Sequence, residues 1–224
     1  DHRDLHSFPT RRSSDLPVEA IQHAPVIIGA DVARQGDDES AICRRQGLVA
    51  YQIRTMRIPD TMLVATQFQQ EYKKHEADGI LVDETGGYGA GVVDAMRQMG
   101  SDVIGVQFAG KASDYRMFNK RSEMYFELAK WVRNGGQLPN DQKLKEELCA
   151  TTFVYQKDKF RIVEKELIKD ALGRSPDRAD ALALTFAYPI EKKNPFKVSQ
   201  SQSIDYDPYQ SRRESNTHNY NPYG

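Results

Sequence analysis

Aspartates are the residues whose types and spacing could do chemistry in this sequence. Asp31 closes the apolar run VIIGAD, Asp83 closes GILVD, and Asp177 and Asp180 stand three apart in SPDRADALAL. If the two apolar runs are neighbouring parallel strands, their ends lie about 4.8 Å apart and open on one crevice. Two carboxylates that close repel each other unless a cation lies between them, and hard oxygen ligands suit Mg2+ or Mn2+. A third carboxylate from a helix completes a set able to hold two ions about 3.5 to 4 Å apart, one activating water and one stabilising the leaving oxygen of a phosphodiester. The expected chemistry is hydrolytic phosphodiester cleavage, with Asp31, Asp83 and Asp180 as catalytic metal ligands.

Each acid also has a plainer reading. Aspartates just past strand ends often only form turns, and one in a helix's first turn gains from the helix dipole without any metal. That second reading applies to Asp177, which stays a candidate ligand behind Asp180. Asp180 reads as lying beyond the first turn, beside Ala179 and Ala181, where a carboxylate has less local reason to be. Glu84 competes with Asp83, because neighbouring strand residues point to opposite faces and only the register decides between them. Asp83 is favoured. Asp37, Asp38 and Glu39 read as an ordinary solvated turn.

The segment TGGYGAG after Asp83 joins a strand to a helix. No Gly-Lys-Ser or Gly-Lys-Thr follows it, and its glycines lack the dinucleotide-binding spacing, so neither nucleotide motif is present. It reads as a tight turn, or as a turn whose Gly87 and Gly89 let a DNA backbone approach beside Asp83. His23 and His75 are the only histidines of the central region, and Cys43 and Cys149 are far apart, which argues against a zinc hydrolase and against a disulfide framework. Neither a serine nor a cysteine nucleophile has a placed base.

The elements that must position the aspartates alternate along the middle of the chain. Pro25 to Ala33 reads as a buried central strand ending at Asp31. Ser40–Arg45 and Leu48–Thr55 read as two further strands around a Gln46-Gly47 turn. Pro59 suits the first turn of a helix whose Val64, Phe68 and Tyr72 share a face. A strand over Gly79–Val82, a helix carrying Val92, Met96 and Met99, and a strand over Val103–Val106 follow. The order predicts an α/β fold: a mixed, ribonuclease H-like sheet, strand order 3-2-1-4-5, flanked by helices, with the first, fourth and fifth strands parallel. Downstream, Met124, Leu128 and Trp131 mark a helix ending near Asn134-Gly135-Gly136, and a hairpin turns at Lys157-Asp158. A final helix starts with Ser175 as N-cap and Pro176 at its first position.

Composition supplies no general polyanion affinity: 31 Lys and Arg stand against 32 Asp and Glu, for a net charge of -1. DNA binding, if present, must be local, weak and salt-sensitive. No apolar run approaches the roughly 20 residues of a membrane span. Residues 1–16, DHRDLHSFPTRRSSDL, are charged, Ser-rich and without periodicity, and they resemble a translated sequencing-adapter fragment rather than native sequence. Residues 17–190 read as one domain. Residues 191–224, rich in Ser, Asn, Gln, Tyr and Pro, read as a disordered tail.

Four segments together carry a family resemblance: IIGADVARQGDDESAI, ILVDETGGYGAGVVDAM, VQFAGKASD with FNKRSEMYFELAKWV, and GRSPDRADALALTFAYP. Their order and spacing resemble the C-terminal nuclease domain of tailed-bacteriophage large terminase subunits, over about Ala24 to Pro189. The resemblance implies a two-metal endonuclease, using Mg2+ or Mn2+, that cuts concatemeric double-stranded DNA during genome packaging in the bacterial host cytoplasm. It implies Asp31, Asp83 and Asp180 as ligands with Asp177 nearby. It also places Lys111, Asn119 and Arg121 as candidates for shaping the site or touching phosphate, although solvated surface is the favoured reading for all three. A small terminase subunit and a portal are the implied partners. No Walker A sequence precedes the domain, so ATP-driven translocation is not assigned to this chain. The alternatives are another ribonuclease H-like nuclease, such as a junction resolvase, and a non-catalytic DNA-binding or assembly module.

Overall fold

A computed structural model describes residues 22–33 and 38–193. The adapter-like segment 1–16 and the tail, apart from residues 191–193, lie outside them, as does Asp37.

β1 (Val26–Asp31) is central and buried along almost its whole length, as an apolar run without alternation requires. It pairs antiparallel with β2 (Ser40–Gln46) and parallel with β5 (Gly79–Asp83), and β5 pairs parallel with β6 (Val103–Val106). The second strand expected over Leu48–Thr55 is split into β3 (Val49–Ala50) and β4 (Arg54–Met56), both antiparallel to β2. Counted as one, they complete the expected order, which runs β3-β2-β1-β5-β6.

Helices cover both faces. α1 (Thr61–Lys74) and α2 (Gly87–Gln98) bury Val64, Phe68, Val92 and Met96 against Ile28, Ala30, Ile80 and Val82. Burying a side chain such as Phe68 contributes roughly 1.5–3 kcal/mol. α1 starts later than expected: Asp60, not the turn at Pro59, caps it, its carboxylate accepting the N–H groups of Met62 and Leu63. The other face carries α3 (Lys120–Arg133), α4 (Gln142–Ala150) and α6 (Asp177–Leu184), packed on Ile27, Leu81 and Val106. The hairpin of β7 (Phe153–Gln156) and β8 (Lys159–Ile162) turns at Lys157 and Asp158, both at positive φ, as a two-residue hairpin turn demands. α5 (Lys165–Leu172) follows it and ends at Gly173 in the left-handed conformation.

Two details fix how closely α6 approaches the sheet. A Cβ on Gly29 would lie 2.1 Å from the Ala181 carbonyl oxygen, so only glycine lets β1 touch the helix there. Glu147, 2% exposed on α4, accepts the Ala179 N–H at 2.9 Å and lies 3.6 Å from Arg174. Burial pushes the Glu147 carboxyl up to about 7 from its ordinary 4.5, against the pull of Ala179 N–H and Arg174. A raised folded pKa means that the folded protein holds a proton the unfolded chain releases. The resulting stability is complete below about 4.5 and is lost as pH rises through about 7. Glu147→Gln, which keeps an acceptor for Ala179, should therefore gain on the order of 2 kcal/mol relative to wild type between about pH 5 and about pH 8.5. Urea unfolding at both values checks this, and an unchanged difference would contradict it.

Candidate active site

The register puts the first two aspartates side by side. Ala30 pairs with Val82, so Asp31 and Asp83 follow as neighbours at the ends of parallel strands, on the sheet face that α6 covers. Asp31 is 2% exposed and Asp83 is half-buried, its Oδ1 accepting the Thr85 N–H at 2.8 Å. α6 brings Asp177 and Asp180 down onto them, both buried and the latter fully. The start of this helix differs from expectation. Pro176, not Ser175, is the N-cap, and Asp180 as well as Asp177 falls in the first turn. The helix dipole therefore favours both carboxylates, and the argument that set Asp180 apart from a first-turn acid does not hold.

Asp180 is nevertheless the better-connected acid. Its Oδ1 accepts the Tyr125 hydroxyl at 2.6 Å and lies 3.4 Å from Arg121, whose other end donates to the Val163 carbonyl at 2.9 Å. Lys165, the first residue of α5, inserts its ammonium among the acids: 2.9 Å from Asp180 Oδ2, 3.2 Å from Asp31 Oδ2 and 3.7 Å from Asp177 Oδ1. The buried Asp180 Oδ2 is held by the Lys165 ion pair alone.

The electrostatics follow from this geometry. Burial pushes Asp31 well above the usual carboxylate range, Lys165 resists, and Asp180, Asp83 and Asp177 add to the rise. Burial likewise raises Asp83 and Asp177. For Asp180 burial is again the largest effect and acts upward, but Lys165, Arg121 and the Tyr125 hydroxyl outweigh it and hold the group below its ordinary value. Lys165 is the converse: burial disfavours its charge, and Asp180, Asp31 and Asp177 hold the ammonium protonated.

The remaining candidates are dispersed. Glu84 points to the opposite face, where its carboxylate lies against Gly105 of β6. Gly89 packs its Cα on the Asp83 carbonyl, with room for no Cβ, while the Gly87 Cα is open. Asn119 caps α3 through Ser122, and Lys111 is exposed. Arg121 is 7% exposed, so it is no solvated surface residue but part of the aspartate cluster. The Asp38–Glu39 turn is also tied down, through Lys169, Arg57 and Arg178. Lys165 and Tyr125 were not foreseen. A lysine in a helix's first turn beside acids reads as surface, and only the need of converging aspartates for a counter-charge could have pointed to one.

Among the described residues, no three Asp, Glu, His or Cys side chains stand at direct metal-ligand spacing in this arrangement. The Lys165 ammonium takes up the space on which the aspartate oxygens converge. The donor set still fits a divalent ion. It consists of hard carboxylate oxygens, one of them buried and answered only by the Lys165 ammonium, at adjacent strand ends and a helix start.

No protein-family model and no curated protein matches the sequence. Solved structures do. The nuclease domain of the large terminase subunit gp2 of bacterial virus Sf6 aligns with a TM-score of 0.63 and 22% identity, over 74% of this chain and 89% of that one. The large terminase nuclease from thermophilic phage G20c with bound cobalt aligns with a TM-score of 0.56 and 17% identity, over 74% and 82% of the two chains. The same nuclease with bound magnesium gives 0.55 and 16%, over 73% and 81%. The chain thus has the ribonuclease H-like fold of phage large-terminase nuclease domains.

Proposed function

We propose that this chain is a divalent-metal-dependent DNA endonuclease of phage genome packaging. The observation that carries the reading is the convergence of Asp31, Asp83, Asp177 and Asp180 on one crevice, with the buried Asp180 Oδ2 answered by the Lys165 ammonium alone. The fold shared with terminase nucleases, one of them solved with cobalt and with magnesium, supports it. Asp31, Asp83 and Asp180 are the proposed ligands, with Asp177 the fourth acid at the edge. Bound divalent ions would polarise water and stabilise the leaving oxygen of the phosphodiester. Arg121 and Tyr125 hold Asp180 Oδ1 in place, which leaves Oδ2 aimed at the crevice. Glu84, on the far face, is not a ligand in this reading. Double-stranded concatemeric DNA, two ions of Mg2+ or Mn2+, a small terminase subunit, a portal and the host cytoplasm belong to the same proposal. Among the described residues no helix is long and apolar enough to cross a membrane.

Supercoiled plasmid incubated with the 224-residue chain tests the proposal. Nicking and linearisation should require Mn2+ or Mg2+, stop in EDTA, and disappear in Asp31→Asn, Asp83→Asn and Asp180→Asn, each falling by about a thousandfold or more. Folded wild type that is inactive with every ion would overturn the catalytic reading and favour a DNA-binding module.

A further inference from the structure

The β7–β8 hairpin exposes aromatic side chains that nothing in the aspartate site uses. Phe153 and Tyr155 alternate along β7 and so share a face, and Tyr155 pairs across the hairpin with Phe160. Phe160 is the centre of the group: its ring centroid lies 4.5 Å from that of Tyr155, 5.5 Å from Phe153 and 5.6 Å from Phe126 on α3. Phe126 fixes Phe160 to the body of the domain, and Phe160 fixes the two outer rings. Those rings remain 46% (Phe153) and 66% (Tyr155) exposed. A soluble surface rarely holds exposed rings in a preformed cluster without a partner for them.

Two further observations identify the partner's chemistry. At its turn the hairpin carries Lys157 and Lys159 against the single acid Asp158, while Arg161, on the face of Val154, is paired with Glu164. Its base is tied to the aspartate cluster. Ser122 accepts the Ile162 N–H, Arg121 bridges the Val163 carbonyl to Asp180, and Lys165 follows two residues later. Phe160 is three strand residues, about 10 Å, from Val163, so the strand leads from the rings to the arginine that holds Asp180. Flat aromatic faces beside a cationic turn suit bases that are free to stack, whereas a duplex presents its backbone and keeps its bases inside.

We propose that the aromatic face of the β7–β8 hairpin, Phe153, Tyr155 and Phe160, docks unpaired bases of a DNA strand whose backbone enters the aspartate crevice. This deepens the nuclease reading and rests on it for the place of the backbone. It assigns the preferred substrate to the class of DNA that is melted, mismatched or single-stranded beside the cut.

Fluorescence anisotropy with a fluorescein-labelled oligothymidylate of about 16 nucleotides, the upper site size of one such platform, tests it on the 224-residue chain in EDTA. Tyr155→Ala should weaken binding about five- to a hundredfold. Val154→Ala, 48% exposed on the opposite face of the same strand, should change it by no more than about twofold. A blunt duplex of the same length should not respond to Tyr155→Ala. Unchanged oligothymidylate binding by Tyr155→Ala would overturn the proposal and leave the rings to a protein partner. An equal loss in Val154→Ala, or on the duplex, would overturn it as well. Because EDTA removes catalysis from the readout, plasmid nicking without this binding refutes the docking alone. Binding without nicking refutes the nuclease reading alone.

Discussion

Asp180→Ala is expected to lower the unfolding free energy of the metal-free protein by about 3–5 kcal/mol, the usual cost of removing one partner from a buried charge network. Asp31→Asn is expected to raise it. The two acids share one crevice and differ in their environments. Asp180 is fully buried yet answered by Lys165, Arg121 and the Tyr125 hydroxyl, so truncating it leaves a buried phenol without its acceptor and a buried arginine with only the Val163 carbonyl. Asp31 has burial and three neighbouring carboxylates against it and only Lys165 in its favour, so its ionised form is disfavoured in the fold. Asparagine removes that charge and keeps an oxygen for Lys165. Urea unfolding in EDTA at about pH 8 reads both effects. A loss under about 1 kcal/mol for Asp180→Ala, or a comparable loss for Asp31→Asn, would show that the cluster is not polarised as its geometry implies. Both variants should nevertheless lose plasmid nicking. Stability moving in opposite directions while activity falls in both would separate a catalytic role for these acids from a structural one.

How much of this was legible in the sequence depended on how far each element announces itself. The sheet was legible because its strands are short apolar runs with turn residues between them, and VIIGAD and GILVD carried their aspartates to the strand ends without any knowledge of packing. The split of the third strand was not, since Tyr51 to Ile53 is no less apolar than its flanks. α4 and α5 were missed outright. α4 buries only Leu144 and Glu147, and a glutamate on the inner face hides the periodicity on which helix recognition rests. α5 buries only Ile168. Missing α5 meant missing Lys165, because nothing in the spacing of Lys165 to Asp180 shows that the two meet. The start of α6 was misread for a different reason. Ser-Pro-Asp is a good N-terminal signal, but Pro176 takes the cap and moves the frame by one residue, enough to bring Asp180 into the first turn. Arg121 shows the limit of reading charge as surface. Its burial depends on Asp180 and Val163, which lie 59 and 42 residues away.

Lys165 gives the second large expectation. Its ammonium lies within 4 Å of oxygens from three aspartates, where a divalent ion held by the same acids would have to sit. A unit charge and a divalent ion at that spacing repel by several kcal/mol even at an effective dielectric of about 20, so the two cannot share the crevice as it stands. Lys165→Ala should therefore have opposite effects on the two states of the protein. Without metal, Asp31, Asp177 and Asp180 lose their common counter-ion, and the melting temperature in EDTA should fall. With metal, the competitor is gone, and Mn2+ measured by isothermal titration calorimetry should bind at least about tenfold more tightly. The rise in melting temperature on adding Mn2+ should grow accordingly. Equal Mn2+ affinity in Lys165→Ala and wild type would mean that the ion binds without displacing the ammonium, which would move the proposed metal position away from Asp180 Oδ2. A lysine that only braced the fold would weaken the variant in both states. The signature of a counter-ion that yields its place is weakening in one state and strengthening in the other.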